Sequence, residues 1–239
     1  MLRGGPWEME ISPERGGRIT SLRLRGEELL EQGIGVDDPH AGDFVAGGAQ
    51  GWDEMVPNLE AVGSLPDHGE AWRVPWVVEE AGAASSVMSC RGRVVPFEFR
   101  RRIEVAERVR VDYAYTNAGT KPHLAYWCAH PLFKFESGME IGVPDGERLA
   151  QLSPGRSTKV FLPPGSLDRV RLGWGSGAAI ELAWDLGLTP DVAVWACNGD
   201  LGGYRQVAIE PAIASQVLEP GEQLEWWLEV LDCGLGKGL

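Results

Sequence analysis

Hydrophobic and polar residues alternate with a period of two along most of this chain, the pattern of strands that bury one face and wet the other. The alternation is plainest at Ile19, Leu22 and Leu24, at Val109, Val111, Tyr113 and Tyr115, and at Leu224, Trp226, Leu228 and Val230. Arg, Asp and Glu stand between these positions, as expected of a solvated face. Further strands are predicted over 72–78, 86–90, 97–105, 124–128, 178–184, 192–196, 206–210 and 215–218. Pro-Gly, Asn-Gly and Gly-Gly pairs punctuate them, turns are expected over 12–17 and 162–165, and Glu219-Pro220-Gly221-Glu222 reads as a hairpin turn into the final strand.

Many short strands without helical segments between them predict an all-β chain, a large antiparallel β-sandwich with little helix. No long linker and no internal repeat interrupts the pattern, so residues 1–239 are expected to form one domain. A hydrophobic fraction of 44% against 24% charged residues is the balance of a chain with a sizeable core.

Charge narrows the partners. With 35 acidic and 22 basic residues the net charge is −13, which repels nucleic acid and anionic membrane surfaces alike. No apolar run is long enough to cross a membrane and Met1 to Pro6 lacks the apolar stretch of a signal peptide, so a cytoplasmic protein is expected. Cys90, Cys128, Cys197 and Cys233 are widely spaced, which suggests buried free thiols rather than a metal site or a redox pair. The 10 Trp and 32 Gly suit tight turns and flat aromatic surfaces, the kind that receive sugars but that also fill cores.

Three segments carry candidate chemistry. The first is the glycine-bordered polar stretch Gly47 to Asn58, followed by Leu65-Pro66-Asp67-His68-Gly69-Glu70-Ala71-Trp72; lacking strand periodicity, it reads as a binding loop. The second is Ala125-Tyr126-Trp127-Cys128-Ala129-His130-Pro131-Leu132-Phe133, where His130 closes an aromatic strand and Pro131 is expected to end its pairing. In the third, Gly199 to Pro211, Glu210 follows an apolar strand and precedes a proline, a place where partial burial can tune a carboxylate toward general-base work. Taken alone, His68 reads more readily as an ordinary surface residue and Glu210 as a solvated strand-end charge; the combination shifts the reading.

His-Gly after a proline-bearing loop, His-Pro-Leu-Phe after an aromatic strand, and Ile-Glu-Pro near the C-terminus together resemble the galactose mutarotase, or aldose 1-epimerase, superfamily, in that family's order and over nearly the whole chain. The resemblance implies a β-supersandwich and anomer interconversion of a sugar, with Glu210 as general base, His130 as general acid and His68 bonding near the ring oxygen. It implies no metal and no organic cofactor, and a small sugar as the partner of a monomer or homodimer. Asp53, Glu54, Asn58, Trp72, Arg73 and Trp127 are the expected substrate contacts, because polar fixers beside an aromatic platform suit a sugar. The chain departs from the family by its shortness and by the absence of an arginine between Gly51 and Leu65, which leaves galactose specificity open, while Arg73 keeps a phosphosugar in view.

Two other readings compete. A non-catalytic carbohydrate-binding domain needs the aromatic platform but no facing acid and base. Glycoside hydrolysis would pair Glu210 with Glu54 or Asp53 at a separation of about 5 to 10 Å, and leaves the histidines without a task.

Overall fold

The computed structural model describes residues 1–234. A first sheet runs in the order β1 (Leu2–Gly4), β2 (Trp7–Ser12), β3 (Arg18–Leu24), β5 (Trp52–Met55), β11 (Cys128–Lys134), β17 (Arg205–Ala212), β16 (Asp191–Asn198) and β13 (Arg156–Phe161), with β4 (Glu27–Glu28) paired to β3. A second runs β12 (Glu140–Ile141), β14 (Arg169–Gly173), β15 (Ala179–Trp184), β19 (Gln223–Asp232), β9 (Arg108–Asn117), β8 (Phe97–Val105), β7 (Ser85–Arg91) and β6 (Val77–Ala81). A small ladder joins β10 (His123–Ala125) to β18 (Gln216–Leu218), and every ladder between named strands is antiparallel. The all-β sandwich predicted from the alternation is the fold observed. Helix is confined to α1 (Gly146–Ala150) and short 3-10 turns, and among the described residues no helix is long and apolar enough to cross a membrane.

The two sheets enclose one large core. Phe99, Ile103, Val111, Tyr113, Trp226 and Leu228 of the second sheet meet Met9, Leu22, Trp52, Ala129, Val194 and Ile209 of the first. Aromatic packing is dense at its centre, where Tyr113 and Trp226 stack with ring centroids 5.6 Å apart. Truncating such a side chain to alanine costs about 3–5 kcal/mol.

The first sheet is buried on its other face too. Phe44, Ala49 and Trp72, from the segment that links β4 through β5 to β6, pack over Met55, Cys128, Leu132, Ala208 and Ala212. Burial on both faces removes the polar half of the alternation, which is why β5 and β11 left little periodic trace. The polar stretch expected to be a loop holds β5, all four residues of it buried. The strand expected over 124–128 divides into β10 and β11. Trp72 lies in a 3-10 turn, Ala71–Arg73, and its strand begins only at Val77.

Pro131 does not end β11. The ladder to β17 pairs Cys128 with Ala212 and resumes at Leu132 with Ala208, leaving a gap between. Pro131 and Pro211 both lie in that gap, and a residue with no N–H costs nothing where no ladder bond is asked of it. The prolines therefore mark the stretch where β11 and β17 run side by side without a ladder, with His130 and Glu210 next to them.

Candidate active site

The register places the site. His130 pairs with Asp53 on one side, and the pairs Cys128–Ala212 and Leu132–Ala208 set it opposite Glu210 on the other. Glu210 pairs with Ala193, and Ala193 with Phe161. Because side chains alternate along each strand, Asp53, His130, Glu210, Ala193 and Phe161 form one row across the face turned away from the second sheet. Ala193 is small, and over it Lys159, from the next row of β13, reaches Glu210: Nζ lies 2.5 Å from Oε2. Oε1 of the same carboxylate is 3.8 Å from His130 Nε2.

His68 arrives from the covering segment. Its backbone is left-handed at φ 60°, followed by Gly69 at φ 75°, and this tight turn aims the imidazole back at the sheet. The ring stacks on Phe44 at 4.5 Å and meets the His130 ring edge-on at 5.4 Å. Asp67 fixes it from behind: Oδ2 lies 2.9 Å from His68 Nδ1, off line for a regular hydrogen bond, and accepts the Phe44 N–H at 3.0 Å. The close approach of His68 holds the Asp67 carboxyl below its usual range.

Between these groups is a cavity of about 190 Å³, walled by Phe44, Trp195 and Tyr204 and carrying His68, His130, Lys159, Gln206 and Glu210. A second hollow of about 350 Å³ adjoins it across Lys159 and Glu210, lined by Leu59, Tyr126, Phe161 and Leu162. Four buried polar atoms on residues that line the first cavity, His68 Nδ1, His130 Nδ1, Tyr204 Oη and Gln206 Oε1, have no hydrogen-bond partner in the protein. Buried polar atoms are rarely left so, and here all four belong to residues of the same cavity.

Electrostatics sort the titratable groups. Burial, with help from His68, Lys159 and Arg18 nearby, holds His130 well below the ordinary histidine value. It is a neutral imidazole at neutral pH. Burial also opposes the charge on Lys159, but the Glu210 carboxylate outweighs it and lifts the amine above the ordinary lysine value. The cavity thus holds an ionised carboxylate–ammonium pair beside an uncharged histidine.

Of the residues expected here, His68, His130 and Glu210 come together and Asp53 lies alongside. Both oxygens of Asp53, however, are taken by Arg18, at 2.7 to 3.1 Å. Glu54 and Trp127 point the other way, into the core between the sheets, where Glu54 accepts from Arg101 (2.9 Å), Trp127 Nε1 (2.8 Å) and Tyr113 (3.1 Å). One residue along a strand changes the face, and that alone removes them from the cavity. Asn58, Trp72 and Arg73 organise the covering segment: Asn58 Nδ2 donates to Glu60 O and Pro66 O, Trp72 Nε1 to Asp67 O, and Arg73 lies over the Trp72 ring while donating to Ala41 O.

Sequence reasoning passed over Lys159, Phe44, Trp195, Tyr204 and Gln206. Gln206 was within reach, since it lies four residues before Glu210 on one strand and so on the same face. Lys159 had a weaker signal in Thr158, Val160 and Phe161, the β-branched and aromatic run of β13.

No protein-family model matches this chain, and no curated protein sequence matches it. Solved structures do. A provisionally assigned aldose 1-epimerase from Escherichia coli K12 superposes with a TM-score of 0.80 at 16% identity, over 98% of both chains. A galactose mutarotase-like protein from Clostridium acetobutylicum gives 0.74 at 13% identity, over 97% of this chain and 94% of that one. A galactose mutarotase related enzyme from Lactobacillus acidophilus gives 0.72 at 14%, over 100% and 98%. The protein described by this sequence has the galactose mutarotase-like fold.

Proposed function

We propose that this protein is an aldose 1-epimerase that opens and recloses the ring of a reducing sugar. The observation that carries the reading is the convergence of His68, His130 and Glu210, three residues far apart in sequence, on one cavity with an aromatic wall. Ring opening requires a base to take the proton of the C1 hydroxyl, cleavage of the bond from C1 to the ring oxygen, and a proton for that oxygen. Rotation about C1–C2 and reclosure give the other anomer. Glu210 is the base: its carboxyl group lies on the cavity wall, 2.5 Å from Lys159 Nζ. His130 and His68 line the cavity on the other side of Glu210 from Lys159 and hold the sugar against Phe44, Trp195 and Tyr204.

Hydrolysis of a glycoside fits less well, because the carboxylates it would pair with Glu210 are both occupied, Asp53 by Arg18 and Glu54 by Arg101. A pure binding module gives no reason for a carboxylate, an ammonium and two imidazoles to share one cavity.

Polarimetry or NMR exchange spectroscopy on freshly dissolved α-D-glucose, α-D-galactose and a panel of other aldoses tests the reading in dilute near-neutral buffer. The expected result is accelerated anomer exchange for at least one sugar, lost about 100- to 10,000-fold in Glu210→Gln with sugar binding retained. Binding without acceleration by the wild type would favour the non-catalytic module.

A further inference from the structure

General acid catalysis needs a group that carries a proton at working pH and can let it go in the transition state. His130, the obvious donor, is uncharged at neutral pH, and an uncharged imidazole giving up its only N–H would be left as an anion. Lys159 is charged, faces the same cavity and touches the base directly, with Nζ 2.5 Å from Glu210 Oε2. Its side chain is 25% exposed against 2% for Glu210, so the ammonium reaches in from the sheet edge over Ala193.

We propose that Lys159 supplies the proton to the ring oxygen, and that Lys159 and Glu210 act as a closed relay moving one proton from the C1 hydroxyl to that oxygen. This rests on the epimerase reading. In the first step the C1 hydroxyl proton passes to Glu210 Oε1, and the electron pair left on that oxygen forms the carbonyl. The bond from C1 to the ring oxygen breaks with its electron pair going to the ring oxygen, which takes a proton from Nζ. The products are an open aldehyde, a carboxylic acid at Glu210 and an amine at Lys159. Transfer from the acid to the amine across their contact restores the ion pair, and the reverse sequence closes the ring on the other face of C1.

The coupling has a physical basis. Burial works against the Lys159 charge, and the carboxylate beside it is what sustains that charge. When Glu210 accepts the sugar's proton its negative charge disappears, and a half-buried ammonium without a counterion becomes a stronger acid. The donor is thus activated by the step that needs it. The other groups facing the pair do not replace it: Cys128 and Tyr126 are pushed upward by burial and stay neutral, Glu60 and Asp191 are carboxylates, and His130 and His68 are imidazoles on the far side of the carboxylate.

Lys159→Arg separates a proton donor from a positive charge that only orients Glu210, because a guanidinium keeps the charge but does not release its proton. After subtraction of hydroxide-catalysed exchange, Lys159→Arg and Lys159→Met are both expected to lose about 100-fold or more in kcat with KM changed little. Wild-type activity is expected to hold through the histidine range and to fall only towards about pH 10. NMR of the 15N-labelled lysine Nζ should show Lys159 titrating at lower pH in Glu210→Gln than in the wild type. Full activity in Lys159→Arg, or a wild-type rate that falls above about pH 6.5, would overturn the relay while leaving the epimerase intact. A wild type inactive on every aldose would instead remove the epimerase reading on which the relay depends.

Discussion

Two of the buried carboxylates, Glu54 and Glu210, lie on opposite faces of the first sheet, each with a cation and aromatic rings nearby. Glu54, between the sheets, is saturated: one oxygen takes Arg101 and Tyr113, the other takes Trp127. Glu210, on the far face, has one oxygen on Lys159 and the other 3.8 Å from a neutral histidine, with a cavity in front of it. Both are buried acids with a cation beside them. What separates them is spare hydrogen-bonding capacity beside an opening. A saturated network specifies structure, whereas an unsaturated one facing a cavity has capacity left for a ligand.

Exchanging the loss between the two sites breaks the comparison most severely. Glu210→Gln is expected to lose about 100- to 10,000-fold in anomer exchange while its urea midpoint stays near that of the wild type, since the orphaned Lys159 can turn to solvent. Glu54→Gln should do the reverse. Removing that charge leaves Arg101 buried and uncompensated, at a cost of about 3–5 kcal/mol in urea unfolding, with the remaining folded protein still active.

The neutral state of His130 gives a smaller, pH-dependent effect. The unfolded chain binds a proton on this residue near pH 6.5, and the folded chain does not until well below that. The unfolded state therefore holds more protons in that interval, so this contribution to stability is present above pH 6.5 and is lost as pH falls beneath it. Urea midpoints between pH 7 and pH 5 should show a steeper decline for the wild type than for His130→Asn. Smaller still is the wall: Trp195→Ala should raise KM about 2- to 10-fold with kcat nearly unchanged, as expected for the loss of one aromatic contact of about 0.5–1.5 kcal/mol.

The strands with one wet face were the legible ones. β8 was anticipated to the residue and β9 and β19 nearly so, because each has one wet face and alternates cleanly. Of the strands that build the site, β16 and β17 were anticipated over 192–196 and 206–210, whereas β5, β11 and β13 were missed or cut short. Two of them are covered on both faces, and β11 carries a proline where the ladder has a gap, so the local pattern says loop or strand end while the tertiary structure says strand. The same failure decided which site residues could be read. His68, His130 and Glu210 stood out through short motifs, but choosing Glu54 beside Asp53 required knowing the face of a strand that was not recognised as one. Lys159 lies on an edge strand distant in sequence from its partner, and only the sheet order brings it there.

The most direct test places Glu210→Gln and Glu54→Gln side by side and measures anomer exchange of the preferred aldose by NMR, normalised to folded protein. The account predicts that Glu54→Gln keeps most of the wild-type rate per folded molecule and Glu210→Gln nearly none. Equal rates in the two variants would contradict the assignment of the chemistry to the cavity between His68, His130, Lys159 and Glu210.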